Sequence, residues 1–489
     1  MTNTFKGNQL IHIPVTVTPE DMNYRYPEPD TGKQGSWWTE NPIFSYNAML
    51  MSAYHSIGRF ESKDGQTARE RFGVRDDVLI FGDSGGFQVL QASNGDLDAP
   101  NIKEVLSPIN VLRWQESCCD IGMTLDIPLP RTGAVPGMPE KGYTPDLYEK
   151  RLQESADNAI KMLTNRDKEA KHFKLFNCIH GNDYKDMMRW YDVTTREGEF
   201  DGFSLATSTD MKDLLALRLG FAMEHSVGKP FHLLGISSPQ ALALIAYANR
   251  KYLKTQIYYD SSAASTGRMI RKYMLLWDMM SNGITMGEES PRYDTMREWE
   301  IESFGCPCPA CSALREMSDL WTKKTISGIL ITIHNLFWMT YYTKFINWYV
   351  CCDDEFIPYV RRITRAPVEE DANGCVPTKD SKSWVIRYMA FLDRVNDVGL
   401  EKAANELFDG NTQTVGEWMD KPGIVSEIPV MNLVRTEDQT HTPAHDYSDV
   451  DNIKLDIQQS TRMIEPTKII DNSEPAKIKF ELQDTDVWL

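Results

Sequence analysis

The chain has 489 residues, enough for one large domain with additions or for two domains. Its hydrophobic content of 41% and aromatic content of 10% are typical of a globular protein and exclude a wholly disordered chain. The formal net charge of −18 excludes a surface that is basic throughout, although nucleic-acid binding needs only a local basic stripe. Because the cysteines form no disulfide framework and the N-terminal MTNTFKGNQL has no apolar signal core, we expect a reducing, cytoplasmic location.

Short apolar runs that end in polar or glycine-rich turns recur along the chain and predict β-strands. Six such runs, in chain order, are VLIFGDSGG from Val78, IGMTLDIPLP from Ile121, FKLFNCIHG from Phe173, FDGFSLATS from Phe200, FHLLGISS from Phe231 and QIYYDSSA from Gln256. Helical patterns lie between them at 147–163, 210–225 and 239–252. Strands alternating with helices predict an α/β fold with a parallel sheet. This many units favours a closed (β/α)8 barrel of the TIM type over an open doubly wound sheet, for which no glycine-rich dinucleotide turn is present.

Polar side chains stand at the carboxyl ends of four of these predicted strands. They are Asp83, Asp126, His180 and Asp260. Active sites of (β/α)8 barrels gather on the face formed by these strand ends. A single aspartate after a strand is usually a helix cap or a turn residue. Three aspartates with the same placement favour a shared site instead.

A cysteine motif, CPCPACS, supplies three thiols within six residues, and a histidine follows in IHNLFW. The predicted metal ligands are Cys306, Cys308, Cys311 and His334. Three thiolates and one imidazole are the ligand set of a closed tetrahedral zinc site, so the zinc would be structural. The alternative is a group of ordinary free cysteines, but packing alone does not demand this spacing. The apolar segment 329–350 contains His334 and further polar residues, which predicts a core helix and not a membrane span.

The composition changes after about residue 352, where acidic, turn-rich stretches begin. We therefore divide the chain into a barrel at 1–352, with a zinc subdomain at about 300–340, and an accessory region at 353–489. Within the accessory region, 383–408 has a helical pattern and 453–489 could supply a few strands. The accessory region is thus expected to mix helix and strand.

The motifs DSGGFQ at 83–88, DIGMTLD at 120–126, YYDSSAASTGR from Tyr258 and the zinc motif occur in one order along the chain. Together they resemble the guanine transglycosylase family of queuine and archaeosine tRNA enzymes, over roughly residues 40 to 350. These base-exchange enzymes swap guanine in a nucleic acid for a 7-deazaguanine. The resemblance implies a (β/α)8 barrel with a zinc subdomain near its C-terminal end.

The resemblance also implies a role for each aspartate. Asp260 would be the nucleophile that attacks the sugar C1′, expels guanine and forms a covalent glycosyl-enzyme. Asp83 would be the general acid/base, and Asp126 would accept hydrogen bonds from N1–H and the exocyclic amine of guanine. Other predicted substrate-binding residues are Ser84, Gly85, Gly86, Phe87, Gln88, His180, Gly181, Ser204, Leu205, His232 and Leu234.

Three segments depart from the pattern of the tRNA enzymes. His180-Gly181 stands where those enzymes usually have Gln-Gly, and 204–206 reads Ser-Leu-Ala in place of the usual Gly-Gly-Leu-Ala turn. The segment after Asp260 resembles the archaeal type more than the bacterial one. With the three aspartates intact, these departures favour the DNA-acting branch of the family, which is similar to DpdA proteins. That branch inserts 7-cyano-7-deazaguanine (preQ0) or a derivative into DNA, often in bacteriophages or modification clusters, so the location would be the host cytoplasm if a phage encodes the chain.

Three other functions stay open at this point. They are a tRNA-guanine transglycosylase, a non-catalytic nucleic-acid-binding subunit of such an enzyme, and a zinc-stabilised barrel with unrelated substrates. A homodimer or a partner subunit is possible in each case. Candidate phosphate contacts, each of which could instead be part of a solvated helix face, are Arg268, Arg271, Lys272, Lys323 and Lys324.

Overall fold

The computed structural model describes residues 9–16, 35–57, 67–86, 106–129, 143–206, 212–226, 228–262, 264, 308–312, 324–363 and 384–408. Eight strands within these ranges form one sheet. They are β1 (Leu10–Pro14), β2 (Ala48–Ser52), β3 (Leu79–Asp83), β4 (Ile121–Met123), β5 (Lys174–Ile179), β6 (Gly202–Ala206), β7 (Phe231–Leu234) and β8 (Ile257–Ser261).

The sheet closes on itself. Its strands pair in parallel in the order β1-β8-β7-β6-β5-β4-β3-β2. The two ends of that order meet where Val15 pairs in parallel with Leu50 and the Thr16 N–H donates to the Leu50 carbonyl at 3.0 Å. Because helices connect the successive strands from β2 to β8, the fold is a (β/α)8 barrel of the TIM type, which confirms the prediction.

All six predicted strands are present, as β3 to β8. The sequence patterns do not single out β1 and β2. Both strands are buried along their whole length, so their sequences, LIHIP and AMLMS, lack the regular apolar–polar alternation of a half-exposed strand.

The helices surround the barrel or follow it in the chain. They are α1 (Ala53–Ser56), α2 (Ala68–Arg71), α3 (Pro108–Cys118), α4 (Pro145–Asn165), α5 (Tyr184–Thr195), α6 (Lys212–His225), α7 (Pro239–Ala248), α8 (Pro309–Ser312), α9 (Lys324–Tyr349), α10 (Asp353–Ile363), α11 (Trp384–Val398) and α12 (Leu400–Phe408). The predicted helices between strands are confirmed as α4, α6 and α7, the last continued by a π-helical turn at Asn249–Leu253. The segment predicted as a core helix is part of α9, and from Ile329 onward most of its residues are buried. No helix in the described ranges has both the length and the apolarity needed to cross a membrane.

The barrel interior is a packed core and not a pore. Its side chains come from alternate positions of the strands, which point inward because successive residues of a strand face opposite sides. They are Ile11, Ile13, Ala48, Leu50, Phe81, Ile121, Met123, Phe176, Cys178 and Tyr258. A larger apolar cluster fills the layer between the sheet and the helices. The packed interior makes the carboxyl ends of the strands the floor of any cleft on that face.

Helices from the predicted accessory region pack directly on the barrel. Helix α11 lies against α6 and α7. Asp393 on α11 accepts hydrogen bonds from the Tyr247 hydroxyl at 2.8 Å and from Lys251 Nζ at 3.0 Å. The Leu400 N–H of α12 donates to Glu224 of α6 at 2.6 Å. The domain boundary at residue 353 stays a prediction, and the strands expected at 453–489 lie outside the described residues.

Candidate active site

Three carboxylates share the carboxyl-end face of the barrel. Asp83 ends β3, Asp126 follows β4, and Asp260 lies near the end of β8. Every second side chain of a strand points into the barrel. Asp83 is therefore the next inward-pointing residue after Phe81, and Asp260 is the next one after Tyr258. The rings of Phe81 and Tyr258 contact each other with centroids 4.8 Å apart. The strand pattern therefore sets two of the acids on an apolar floor.

The Asp83 carboxyl has a strongly altered pKa. Burial, followed by the negative charges of Asp126 and Asp260, raises the pKa of the Asp83 carboxyl from its ordinary 3.8 to about 7. Hydrogen bonds from Ser52 and from the Gly85 N–H, the latter at 3.2 Å, oppose this rise only in part. The carboxyl group thus has both its protonated and its ionised form available near neutral pH, as a general acid/base requires.

Asp126 is held as a carboxylate by its neighbours. Its Oδ1 accepts the Ser84 hydroxyl at 2.8 Å, and its Oδ2 lies 2.7 Å from Nε2 of His180. Burial by itself raises the pKa of Asp126, but the hydrogen bond and charge of His180, together with the Ser84 hydrogen bond, bring the pKa below its ordinary value. Asp126 is only 8% exposed. It is therefore a fixed, ionised hydrogen-bond acceptor at the edge of the site.

Asp260 is fixed through one carboxylate oxygen. The Gly235 N–H donates to Oδ1 at 3.1 Å, and Nε2 of His232 lies 3.2 Å from the same oxygen. The backbone of the residue is also held, because the Ile236 N–H donates to the Asp260 carbonyl at 2.9 Å. Both side-chain contacts that the described residues make with this carboxylate involve Oδ1, and Oδ2 makes none with them.

The glycines after Asp83 are required by the protein's own packing. A Cβ at Gly85, whose φ is +85°, would lie 2.7 Å from the backbone N of Tyr54. A Cβ at Gly86 would lie 2.5 Å from the carbonyl oxygen of Asp126. The turn therefore seats Ser84 against Asp126 only because both following residues lack a side chain. The predicted site residues Phe87 and Gln88 lie outside the described residues.

The other predicted site residues differ in where their side chains lie. Ser204 and His232 are buried inside the barrel at paired positions of β6 and β7, and Leu234 lies at the end of β7. Leu205 is fully buried in the cluster between sheet and helices, so its backbone is the part nearest the site. Gly181, whose φ is +110°, follows His180 directly.

Arg218 is a positioning residue that the sequence motifs do not reveal. It is 1% exposed and donates hydrogen bonds to the carbonyl oxygens of Gly181 at 2.7 Å, Ala206 at 3.1 Å and His180 at 3.4 Å. Burial lowers the pKa of its guanidinium to about 9. Arg218 therefore ties together the ends of β5 and β6. A lone arginine in the apolar helix KDLLALRLGFAMEH is the signal that could have identified it.

A second cluster of polar side chains joins α8 and α9. Sγ of Cys308 and Sγ of Cys311 lie 3.2 and 3.4 Å from Nδ1 of His334. All three ligand atoms lie within 4.8 Å of one another, so these residues could hold a metal ion. Ligands on a tetrahedral zinc with Zn–S near 2.3 Å and Zn–N near 2.0 Å are roughly 3.5 Å apart, which the donor set here fits. The fourth predicted ligand, Cys306, lies outside the described residues.

Of the candidate phosphate contacts, Lys324 is the first residue of α9. The other four, Arg268, Arg271, Lys272 and Lys323, lie outside the described residues.

Comparison with known proteins gives one consistent result. The profile of the family described as Queuine tRNA-ribosyltransferase matches residues 41–347, which is more than half of the chain. The chain is 26% identical over 269 residues to a tRNA-guanine(15) transglycosylase of Pyrococcus abyssi, a match that covers 53% of this chain and 38% of that protein. It is 23% identical over 274 residues to the tRNA-guanine(15) transglycosylase of Methanocaldococcus jannaschii, covering 53% and 35%. The match thus spans well under half the length of these relatives.

Proposed function

Because the chain belongs to the queuine tRNA-ribosyltransferase family, we propose that it exchanges guanine in a nucleic acid for another base through a covalent glycosyl-aspartate. The observation that carries this proposal is the coupling of three carboxylates on one face of the barrel. The charges of Asp126 and Asp260 help to raise the pKa of Asp83 to about 7, so the site holds one acid/base and two carboxylates. One proton donor and acceptor beside two carboxylates is the set of groups that a double displacement at a sugar carbon needs.

In the first displacement, Oδ2 of Asp260 attacks C1′ of the target nucleotide. A bond forms between Oδ2 and C1′ while the bond from C1′ to N9 of guanine breaks, and its electron pair leaves with the base. Protonated Asp83 gives its proton to the departing base, so that guanine leaves as a neutral molecule. In the second displacement, the incoming base loses a proton to Asp83 and its ring nitrogen attacks C1′, which releases the Asp260 carboxylate.

Base recognition is proposed for Asp126. The ionised carboxylate accepts hydrogen bonds from N1–H and the exocyclic amine of guanine, whereas adenine presents an acceptor at N1. The hydrogen bonds from Ser84 and His180 fix the plane of this carboxylate before the base arrives. The target base must leave its stack to reach the site, which costs a few kcal/mol.

For the polymer, we propose DNA, with 7-cyano-7-deazaguanine or a derivative as the incoming base. His180, in place of the glutamine usual in the tRNA enzymes, is paired with Asp126 and so alters the base-contacting surface itself. tRNA is the second candidate, because the similar proteins of Pyrococcus abyssi and Methanocaldococcus jannaschii are named for tRNA guanine 15. The match covers 38% of the Pyrococcus abyssi protein, so features of its remaining length carry no argument for this chain.

Zinc is proposed for the cysteine and histidine cluster. Cys308, Cys311 and His334, joined by Cys306, would hold the ion with no open position, so its contribution is structural. It would fix the short helix α8 to the long helix α9.

The test is release of radiolabelled guanine from matched preparations of duplex DNA and tRNA, with 7-cyano-7-deazaguanine supplied. Asp260→Asn removes the nucleophile, and Asp157→Asn, which changes an exposed carboxylate on α4, is the matched control. Release from DNA that Asp260→Asn abolishes and Asp157→Asn retains supports the full proposal. Release from tRNA alone transfers the function to the second candidate. Release at the wild-type rate by Asp260→Asn contradicts the mechanism for either polymer, and no release from either supports the non-catalytic subunit.

A further inference from the structure

His232 is a buried histidine whose position calls for an explanation. It lies on β7 with 0% of its surface exposed. Neither of its ring nitrogens makes a hydrogen bond to any of the residues that the structure describes. A buried polar group without a partner costs free energy, and native proteins rarely keep one without a use.

A carboxylate oxygen of the proposed nucleophile lies close to this imidazole. Nε2 of His232 is 3.2 Å from Oδ1 of Asp260, which is ion-pair distance, but the two groups are not aligned as a hydrogen bond. The strand register explains the closeness. His232 pairs with Tyr258 of β8, and Asp260 is the next inward-pointing residue of that strand. His232 therefore lies one layer of side chains below Asp260, on the neighbouring strand. Contacts in catalytic groups are often misaligned without substrate and become aligned in the complex.

The surroundings of His232 point to Asp260 as its partner. The ring lies 5.1 Å from the ring of Phe81, and its lateral neighbours in the sheet are Ser204 and Tyr258. None of these three neighbours has a carboxyl group, which Asp260 supplies. Because the ring is fully buried, its 3.2 Å approach to Asp260 Oδ1 is the contact that links it to the proposed substrate.

We infer that His232 is a positioning residue for the nucleophile, which donates from Nε2 to Oδ1 of Asp260 together with the Gly235 N–H. This inference rests on the proposed function. Two donors on Oδ1 fix the rotation of the carboxylate and direct Oδ2 toward C1′. When the Oδ2–C1′ bond forms, Oδ1 becomes the carbonyl oxygen of the ester and still accepts both hydrogen bonds. The same contacts therefore serve the carboxylate and the ester.

The experiment uses two substitutions at one position. His232→Gln can place an amide N–H close to the position of Nε2, whereas His232→Phe keeps a ring beside Phe81 but removes the donor. His172→Gln changes an exposed histidine before β5 and is the matched control. Each protein is mixed with duplex DNA or tRNA without added base, and the protein-linked nucleic acid is quantified after denaturation, at several concentrations of nucleic acid. Binding of free guanine is measured alongside by calorimetry.

We expect His232→Phe to form the covalent complex about 30-fold more slowly at saturating nucleic acid, with little change in half-saturation, because a misplaced reacting atom costs rate more than binding. His232→Gln should recover most of that rate, His172→Gln should match the wild type, and guanine affinity should stay the same. Unchanged rates in both His232 variants, or equal losses in both with wild-type melting temperatures, would overturn the inference. A loss of guanine affinity with an unchanged rate would assign His232 to base binding and overturn it too. If the wild type formed no covalent complex with either polymer, the proposed function would fail first and this inference with it.

Discussion

Replacing Asp83 by asparagine is expected to abolish base exchange and, at the same time, to stabilise the folded protein at alkaline pH. The carboxyl group has an ordinary pKa of 3.8 and a pKa of about 7 in the fold. Since the folded value is the higher one, the folded protein holds this proton more tightly than the unfolded chain. The contribution of the proton to stability is complete below pH 3.8 and is lost as the pH rises through about 7.

The size of this effect follows from the difference between the two pKa values. A difference of about 3 pH units corresponds to ~4 kcal/mol above pH 7, of which ~2.5 kcal/mol develops between pH 5 and pH 8. Asp83 is only half-buried, and solvent screening reduces that increment to ~1–2 kcal/mol. Asparagine carries no charge at either pH and can still accept the Gly85 N–H, so the variant should avoid the penalty.

The assay is urea unfolding followed by tryptophan fluorescence, for wild type and Asp83→Asn at pH 5 and pH 8. The quantity of interest is the stability of the variant minus that of the wild type, which should become more positive by ~1–2 kcal/mol between the two pH values. Asp157→Asn is the control for loss of a negative charge at an exposed position. A difference that is the same at both pH values would refute the assigned burial and repulsion at Asp83.

Three further changes test other parts of the structure. His180→Phe removes the hydrogen bond to Asp126 Oδ2 and should weaken guanine binding at least ~10-fold, measured by calorimetry with His172→Phe as the control. Unchanged guanine affinity would show that His180 only packs against its neighbours. Arg218→Met leaves three carbonyl oxygens without their donor, so it should lower the free energy of unfolding by ~3 kcal/mol and slow base exchange. Full activity at reduced stability would show that activity does not require the hydrogen bonds from Arg218 to the ends of β5 and β6. Cys308→Ser should eliminate an equimolar bound zinc, measured by elemental analysis, and destabilise the protein by ~3 kcal/mol or more. The control Cys351→Ser, at an exposed cysteine, should do neither, and zinc retained by Cys308→Ser would place the metal elsewhere.

The strands of the barrel could be predicted from the sequence wherever polar or small residues directly follow an apolar run. Strands β3 and β8 are each an apolar run followed by an aspartate and small residues, and this pattern needs only neighbouring residues to be read. Strands β1 and β2 are buried on both sides and carry no such ending. Their assignment depends on closure of the barrel, which is a property of the whole sheet and not of either segment.

The composition of the candidate site could be predicted in part, but its electrostatics could not. Motif order suggested Asp83, Asp126 and Asp260 as a group. The contact between His180 and Asp126 joins residues 54 positions apart, and their spacing carries no information about it. Arg218 acts through carbonyl oxygens that every residue possesses, so the sequence shows an arginine in an apolar helix but not the residues to which it donates. The pKa of Asp83 depends on burial and on two distant charges, which only the folded barrel brings together.

These distant charges also connect the two halves of the proposed reaction. Before the first displacement, the site holds protonated Asp83 with ionised Asp126 and Asp260, a total of two negative charges among the three. Afterwards Asp83 is ionised and Asp260 is an uncharged ester, so the total is unchanged. The ester removes one of the two charges that raise the pKa of Asp83, which stabilises the newly ionised carboxylate at the moment when it has given up its proton. Proton donation to guanine and formation of the Oδ2–C1′ bond thus favour each other, because each relieves the electrostatic cost of the other.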